Sequence, residues 1–418
     1  MSALPLTSRD APRGTETTLR EPCVLLKLGE IVLKGKNRQQ FERLLHDNIR
    51  CAVRDMAVQI WRRDGVIVLR AADPRPAVSG ESAAGEDAAA ADKLAERMRY
   101  VMGLSRVCRA VRVAKDPEAA AAAAVQLTAG RQGAFAVRAR RRDKRFPVNS
   151  SQLATLIGAR IQQAHGLAVN LSRPDVTVFV EVDQSEVFVF TEGLPGQGGL
   201  PVGMSGRALA LMSGGIDSPV AGYRMMRRGL RCSFLHFSGM PLTGPDSVYK
   251  AYGLARELDK FQGGSRLFVV AFGRAQQQLA ASGAGRLQIM AQRRLMLKTG
   301  EALARRLRAA ALVTGDSLGQ VSSQTLANIT ALDDAVTLPI LRPLIGLDKT
   351  EIMAEARRIG TLHISELPDQ DCCSLLTPRQ VETRARIDDL RRIEARLDAD
   401  DLAEELAAAA QEHRPARL

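Results

Sequence analysis

Aromatic side chains are scarce in this sequence, at 4% of 418 residues with a single Trp. Ala, Leu and Val must therefore build most of the core. No apolar run reaches the roughly 20 residues that cross a bilayer. The polar stretch with Ser8, Arg9, Asp10 and Arg13 lacks the apolar segment of a secretory signal. These absences predict a cytoplasmic protein with no membrane partner. The six cysteines, Cys23, Cys51, Cys108, Cys232, Cys372 and Cys373, include no C-x-x-C pair. That removes the usual spacing of a zinc site or cluster. Cys23, Cys108 and Cys232 sit in apolar runs and read as buried small residues. Neither a Walker A loop nor a G-x-G-x-x-G turn occurs, which excludes the two commonest nucleotide loops.

What is present is an ordinary soluble composition, 45% hydrophobic and 25% charged, with a net charge of +13. Such a surplus favours a polyanionic partner through phosphate contacts and counterion release. An Arg-rich proteome would give the same sum without a partner, so the distribution of the charge must separate the two.

Residues 1–20 read as a disordered arm. An apolar strand at 23–26, a basic turn and a helix with Phe41, Leu44, Leu45 and Ile49 on one face, and a strand at 66–69 make an α/β unit over 21–85. Residues 71–92, rich in Ala, Gly, Ser, Pro and acid, read as linker. A second α/β unit spans 90–195, with strands at 107–113 and 134–137, a helix from Pro117 and another over 151–164. Alternating stretches at 176–182 and 186–191 predict a hairpin around Asp183-Gln184. The third unit, 203–380, alternates short apolar strands at 208–212, 233–237, 267–272 and 311–314 with helical sequence. That order predicts a doubly wound parallel sheet with helices on both faces. Residues 381–418 read as a helical tail.

The first strand of the third unit runs into Ser213-Gly214-Gly215-Ile216-Asp217-Ser218, and a helix is expected from Pro219, where Pro at the first helical position costs no hydrogen bond. The glycines let backbone N–H groups approach an anion, the serines add hydroxyl donors, and the helix N-terminus adds partial positive charge. A ligand-free Gly-rich turn is the bland alternative. Against it stands Asp217, a carboxylate that only a cation partner would make welcome there.

This loop resembles the signature of PP-loop ATP pyrophosphatases, which adenylate an oxygen and release pyrophosphate. The longer phrase Leu211-Met212-Ser213-Gly214-Gly215-Ile216-Asp217-Ser218-Pro219-Val220-Ala221 resembles the tRNA 4-thiouridine synthetase (ThiI) family. Further resemblance lies in Leu235-His236-Phe237, in Arg293-Arg294-Leu295-Met296, in the stretch 314–325 and in the stretch 342–349. The resemblance implies ATP contacts at Leu211, Met212, His236, Phe237, Arg293, Gly315 and Gln324, beside the loop residues Ser213, Gly214, Gly215, Asp217 and Ser218. It also implies Mg2+ on Asp217 and a catalytic Lys349. His236 and Phe237 end a strand, where ligands bind in open α/β sheets. A lone His is more often structural, and a solvated helix face is the plain reading of Arg293 and Lys349.

The densest basic run is 138–147, with Arg140, Arg141, Arg142, Lys144 and Arg145 followed by Phe146 and Pro147. Charge runs are commonly solvated loops. This one, however, lies in a stretch that resembles the THUMP RNA-binding module. Residues 29–38, with Lys34, Lys36 and Arg38, resemble the same family's N-terminal ferredoxin-like unit. Together they imply a phosphate-backbone track for tRNA.

The vicinal pair Cys372-Cys373, flanked by Asp369 and Asp371, is a poor chelate and an ordinary loop by chemistry alone. The resemblance makes one of the two the sulfur-handling residue, with Cys373 slightly preferred. It implies adenylation of uridine 8 of tRNA at its C4 oxygen, then attack by a persulfide sulfur from a cysteine desulfurase. Some family members carry a C-terminal rhodanese domain. Without one, the relay must be shorter, and the family's service to thiamine thiazole synthesis is less direct. A homodimer is compatible with all of this. Two rivals are a PP-loop synthetase acting on a small substrate and a THUMP protein that only binds or methylates RNA. The first leaves the basic modules unexplained and the second leaves residues 213–218 unexplained.

Overall fold

The apolar run at 23–26 lies inside β1 (Arg20–Leu28) of the computed structural model, which describes residues 20–63, 65–72, 81–368 and 380–416. A 3-10 turn (Glu30–Leu33) leads to α1 (Arg38–Ala52), which buries Leu45 and Ile49. Next come β2 (Val58–Arg63), β3 (Val66–Ala71) and α2 (Glu81–Met98). The linker expected over 71–92 is corrected here, because its second half is helix. Alanine is the strongest helix former, and Ala91, Leu94, Ala95 and Met98 give α2 one buried face at helical spacing.

The chain continues through β4 (Leu104–Val113), α3 (Pro117–Leu127), β5 (Ala134–Arg141) and α4 (Ser150–His165). It then forms β6 (Ala168–Val169), β7 (Val176–Val182), β8 (Val187–Phe190) and β9 (Gly193–Pro195). β7 and β8 pair antiparallel across Asp183, as the hairpin reading expects. All nine strands form one sheet, in the order β2-β3-β1-β4-β8-β7-β5-β6, with β9 also on β4. β4 holds β1 along one edge and β8 and β9 along the other. In the β7–β8 turn, beside the end of β4, the fully buried Glu186 accepts from Arg63 (2.8 Å) and from Arg112, while Arg112 also reaches Glu21 (2.7 Å). A buried charge persists only when paired in this way.

Contacts divide the described chain into two units. The first gathers β1, Val53–Arg99 and Leu104–Gly196; the second gathers Gly29–Ala52, Tyr100–Gly103 and the chain from Gln197 onward. α1 thus groups with the second unit.

In the second unit the elements are β10 (Arg207–Leu211), α5 (Asp217–Arg227), β11 (Arg231–Ser238), α6 (Asp246–Gln262), β12 (Leu267–Ala271) and α7 (Gly273–Ala281). There follow α8 (Gln288–Arg306), β13 (Leu312–Val313), α9 (Leu326–Asp333), β14 (Ile340–Leu341), α10 (Lys349–Ile359) and α11 (Leu362–Ser365). The last are α12 (Ile387–Arg396), α13 (Ala399–Ala408) and β15 (Gln411–His413). The sheet runs β14-β13-β10-β11-β12-β15, and its first five strands are parallel. One apolar core on one face joins α8 to α12 and α13, and a second on the other face joins α5, α6 and α10. The doubly wound expectation is borne out. The tail departs from a purely helical reading, since β15 adds antiparallel to β12. Three polar residues carry no periodic signal, and the open edge of β12 supplies their pairing.

Arg293 and Arg294 are neighbours in sequence with separate fates. The Arg294 side chain is 1% exposed; it holds Glu394 at 2.6 and 3.0 Å and Asp334 at 3.1 Å, clamping α12 onto α8. Arg294→Ala leaves Glu394 without its buried partner and should destabilise the protein by about 3–5 kcal/mol. A shift of the urea midpoint measures this, and an unchanged midpoint contradicts it.

Candidate functional site

Strand order reverses at β10, which has β11 on one side and β13 on the other. The crevice outside the carboxyl ends of such strands is where open α/β sheets bind ligands. Residues 213–218 leave β10 at this point. Ser218 Oγ receives the Ser213 N–H (3.0 Å) and lies 3.1 Å from Ser213 Oγ, while the Gly215 N–H donates to Ser213 Oγ (3.2 Å). The two serines therefore brace the loop, and Ser213 and Gly215 remain exposed at its surface. Gly214 is buried within it.

The helix starts at Asp217, two residues before the expected Pro219. Pro219 is still within the first turn, whose N–H groups have no intrahelical acceptor, so its missing N–H costs nothing. Ile216 at the N-cap provides no side-chain acceptor, which leaves the turn's N–H groups available to an anion. Gly315 follows β13 and faces this turn. A Cβ there would stand 2.8 Å from the Ser218 nitrogen and 3.1 Å from Asp217 Cβ, so only glycine permits the approach.

Asp217 is held by Lys349 Nζ (2.7 Å) and by Gln320 Nε2 (3.0 Å). Lys349 opens α10, whose start is fixed by a capping box between Asp348 and Glu351. Among the described residues no cluster of three or more His, Cys, Asp or Glu side chains could hold a metal. A lone carboxylate still fits Mg2+, which keeps most of its waters and binds through one carboxylate plus phosphates.

His236 and Phe237 are buried beneath the loop. His236 Nδ1 meets the Met212 carbonyl (2.9 Å) and its Nε2 meets Ser247 Oγ (3.1 Å). Phe237 packs edge-on against Phe272. His236 therefore supports Met212, while Phe237 packs in the core on the face behind Leu211. On the β13 side Arg293 donates to Asp316 and to Ser323 Oγ (3.2 Å), and Gln324 Nε2 also reaches Asp316 (3.3 Å). Gln320, Asp316 and Arg342 escape the sequence reading as site residues, although all three lie in the phrases that carry the resemblance. Cys372 and Cys373 lie outside the described residues.

Of the basic residues, Lys34, Lys36 and Arg38 fall in the second unit, where Lys34 pairs with Glu30 (3.5 Å) and Lys36 is exposed. The run 138–147 does not simply follow a strand as expected, because its first four residues belong to β5. Period-two alternation there leaves Arg138 and Arg140 exposed and turns Arg141 inward, onto the carbonyls of Phe146 (3.2 Å) and Val148 (2.8 Å). Lys144 and Arg145 are exposed, and Arg142 is partly buried. Phe146 is 4% exposed and belongs to the core.

Gly315→Ala should raise the KM for ATP about tenfold or more by displacing the first turn of α5, with an unchanged circular dichroism spectrum. An unaltered KM would separate this approach from nucleotide binding.

Residues 203–399 match the family described as thiamine biosynthesis protein (ThiI), residues 118–192 match the THUMP domain, and residues 23–108 match the ThiI ferredoxin-like domain. A Nocardia farcinica protein named "Probable tRNA sulfurtransferase" is 54% identical over 391 residues, 92% of each chain. A Thermus thermophilus protein of the same name is 40% identical over 374 residues, 89% of each chain. A solved structure, a 4-thiouridine synthetase–RNA complex with bound ATP, superposes with a TM-score of 0.83 at 30% identity, covering 95% of this chain and all of that one. With the nucleotide loop, the basic modules and the sheet order all in agreement, the chain belongs to the ThiI family of tRNA sulfurtransferases.

Proposed function

We propose that this chain uses ATP to adenylate uridine 8 of tRNA at its C4 oxygen and replaces that oxygen with persulfide-derived sulfur, giving 4-thiouridine. The observation that carries this reading is the crevice at the β10–β13 switch point, where the braced loop, the open first turn of α5 and Gly315 meet. The first-turn N–H groups suit the phosphates, and Arg293, Gly315 and Gln324 bring β13-side groups to the nucleotide. Bound Mg2+ on Asp217 would neutralise phosphate charge. Lys349 beside it supplies a second positive charge.

In the first step the C4 oxygen bonds to the α-phosphorus and pyrophosphate leaves. In the second, a persulfide sulfur attacks C4 and expels AMP, leaving that sulfur still bonded to its carrier. A cysteine thiolate then attacks the carrier sulfur, breaks the S–S bond to free 4-thiouridine and forms a mixed disulfide, which an external thiol reduces. A cysteine desulfurase is the proposed source of that sulfur. Burial pushes the Cys108 thiol to about 11 and the Cys232 thiol to about 12, and raises Cys23 further. A thiol so displaced is a poor nucleophile at neutral pH. Burial thus disfavours these three and leaves Cys51, exposed at the end of α1, and the pair Cys372-Cys373. Of these, the family resemblance favours the pair as the residues that carry the sulfur or resolve the mixed disulfide. No described helix is long and apolar enough to cross a membrane.

Reconstitution with tRNA, ATP and a persulfide donor tests the reading. Asp217→Ala should form no 4-thiouridine yet bind tRNA normally. The Cys372→Ser, Cys373→Ser double variant should still release pyrophosphate in response to tRNA but form no thionucleoside. Normal thiolation by either variant would sink the role proposed for the residues it replaces.

The orientation of each side chain refines the expected tRNA footprint. Neutralising Arg140 and Lys144 should flatten the log–log salt dependence of tRNA binding, by about one for each phosphate that is no longer neutralised. Arg141→Ala should instead lower the melting temperature and leave the slope alone. Equal slopes for all three would return the run to an ordinary solvated surface.

A further inference from the structure

Asp316, in the second unit, is a heavily partnered carboxylate that the reaction itself does not use, and it is 3% exposed. Four groups converge on it. Thr314 Oγ1 donates to Oδ2 at 2.7 Å and Arg342 Nε to the same oxygen at 3.2 Å. Arg293 Nη2 and Gln324 Nε2 donate to Oδ1. These donors come from four places in the chain: the exit of β13, the residue after β14, α8, and the 3-10 turn Ser322–Gln324. Burial pushes the Asp316 carboxyl up, but Arg293, the Thr314 hydroxyl and Arg342 outweigh it and hold it below the usual carboxylate range. The group is thus a buried, paired anion.

Two further atoms point beyond a purely structural cluster. Gln324 Oε1 and Arg342 Nη2 are buried without a hydrogen-bond partner among the described residues. Native proteins rarely leave such groups unsatisfied. They flank the carboxylate and give the cluster spare acceptor and donor capacity. Arg293 is meanwhile tied at both ends of its guanidinium, to Asp316 and to Ser323. It cannot swing freely, so its orientation is set before any ligand arrives.

We infer that Asp316 is a positioning residue for the nucleotide: it locks Arg293 and Gln324 in the geometry in which they meet ATP. The inference rests on the assignment of Arg293 and Gln324 to the ATP site. Pre-orienting two side chains removes the ordering cost that binding would otherwise bear. The effect should therefore fall on the apparent ATP affinity and not on the chemical step.

Asp316→Asn keeps the shape and removes the charge. In the full-length enzyme with tRNA, the KM for ATP in pyrophosphate release should rise about tenfold, with kcat and tRNA affinity nearly unchanged. Glu404→Gln is the control. Glu404 pairs with Arg306 (2.7 Å), which is not among the four donors to Asp316, so its loss should leave the KM for ATP alone. Arg293→Ala should raise the KM as well, and Asp316→Asn should add little in that background, since coupled residues are non-additive. If Asp316→Asn proves insoluble, Thr314→Val removes one donor to the carboxylate and should still raise the KM.

A lower melting temperature with an unchanged KM would make Asp316 purely structural and overturn the inference. Additive effects of Asp316→Asn and Arg293→Ala would also overturn it. If Arg293→Ala itself leaves the KM unchanged, the assignment of Arg293 to ATP fails and the inference falls with it.

Discussion

The catalytic unit depends on one close approach, that of the Gly315 backbone to the first turn of α5. Strands β10 and β13 diverge in topology at this point but must deliver their exit loops to the same place. A side chain at 315 would force them apart. Because it is absent, the amide-rich start of α5 and the Thr314–Asp316 segment share one crevice. Asp217, Lys349, Arg293 and Gln324, which come from distant parts of the chain, are arranged around that approach.

The sequence is most legible where function is local. A loop of Ser, Gly and Asp between an apolar strand and a helix declares its use, because the conformations and donors it needs come from adjacent residues. The parallel sheet is legible for a related reason: short apolar strands alternating with amphipathic helices have few other ways to bury their faces. What sequence does not convey is orientation. Nothing local in 138–147 says that Arg141 turns inward while Arg140 faces water, or that Phe146 belongs to the core. The split between Arg293 and Arg294 is of the same kind, since it depends on which helix face meets α12.

Two elements defy a reading by composition because context overrides it. Residues 81–92 have the Ala, Gly and acid content of a linker, yet they form the first part of α2, whose later turns bury Ala91, Leu94, Ala95 and Met98 and hold the Ala-rich segment as helix. β15 is a polar tripeptide whose strand character is borrowed from β12. The hidden role of Asp316 belongs with these. Nothing in the sequence around Asp316 shows that four donors from separate parts of the chain close over it.

The nine-stranded sheet of the first unit has a practical meaning for anyone who would cut the protein into modules. β4 is the common neighbour of β1, β8 and β9, so the stretches that match the ferredoxin-like and THUMP domains share a single hydrogen-bonded ladder. A fragment trimmed to 118–192 would lose β4 and bare the backbone N–H and C=O groups of β8. An exposed strand edge of that sort is a template for pairing with another molecule. The THUMP segment is therefore separable in sequence but not in solution, where the excised piece would aggregate edge to edge.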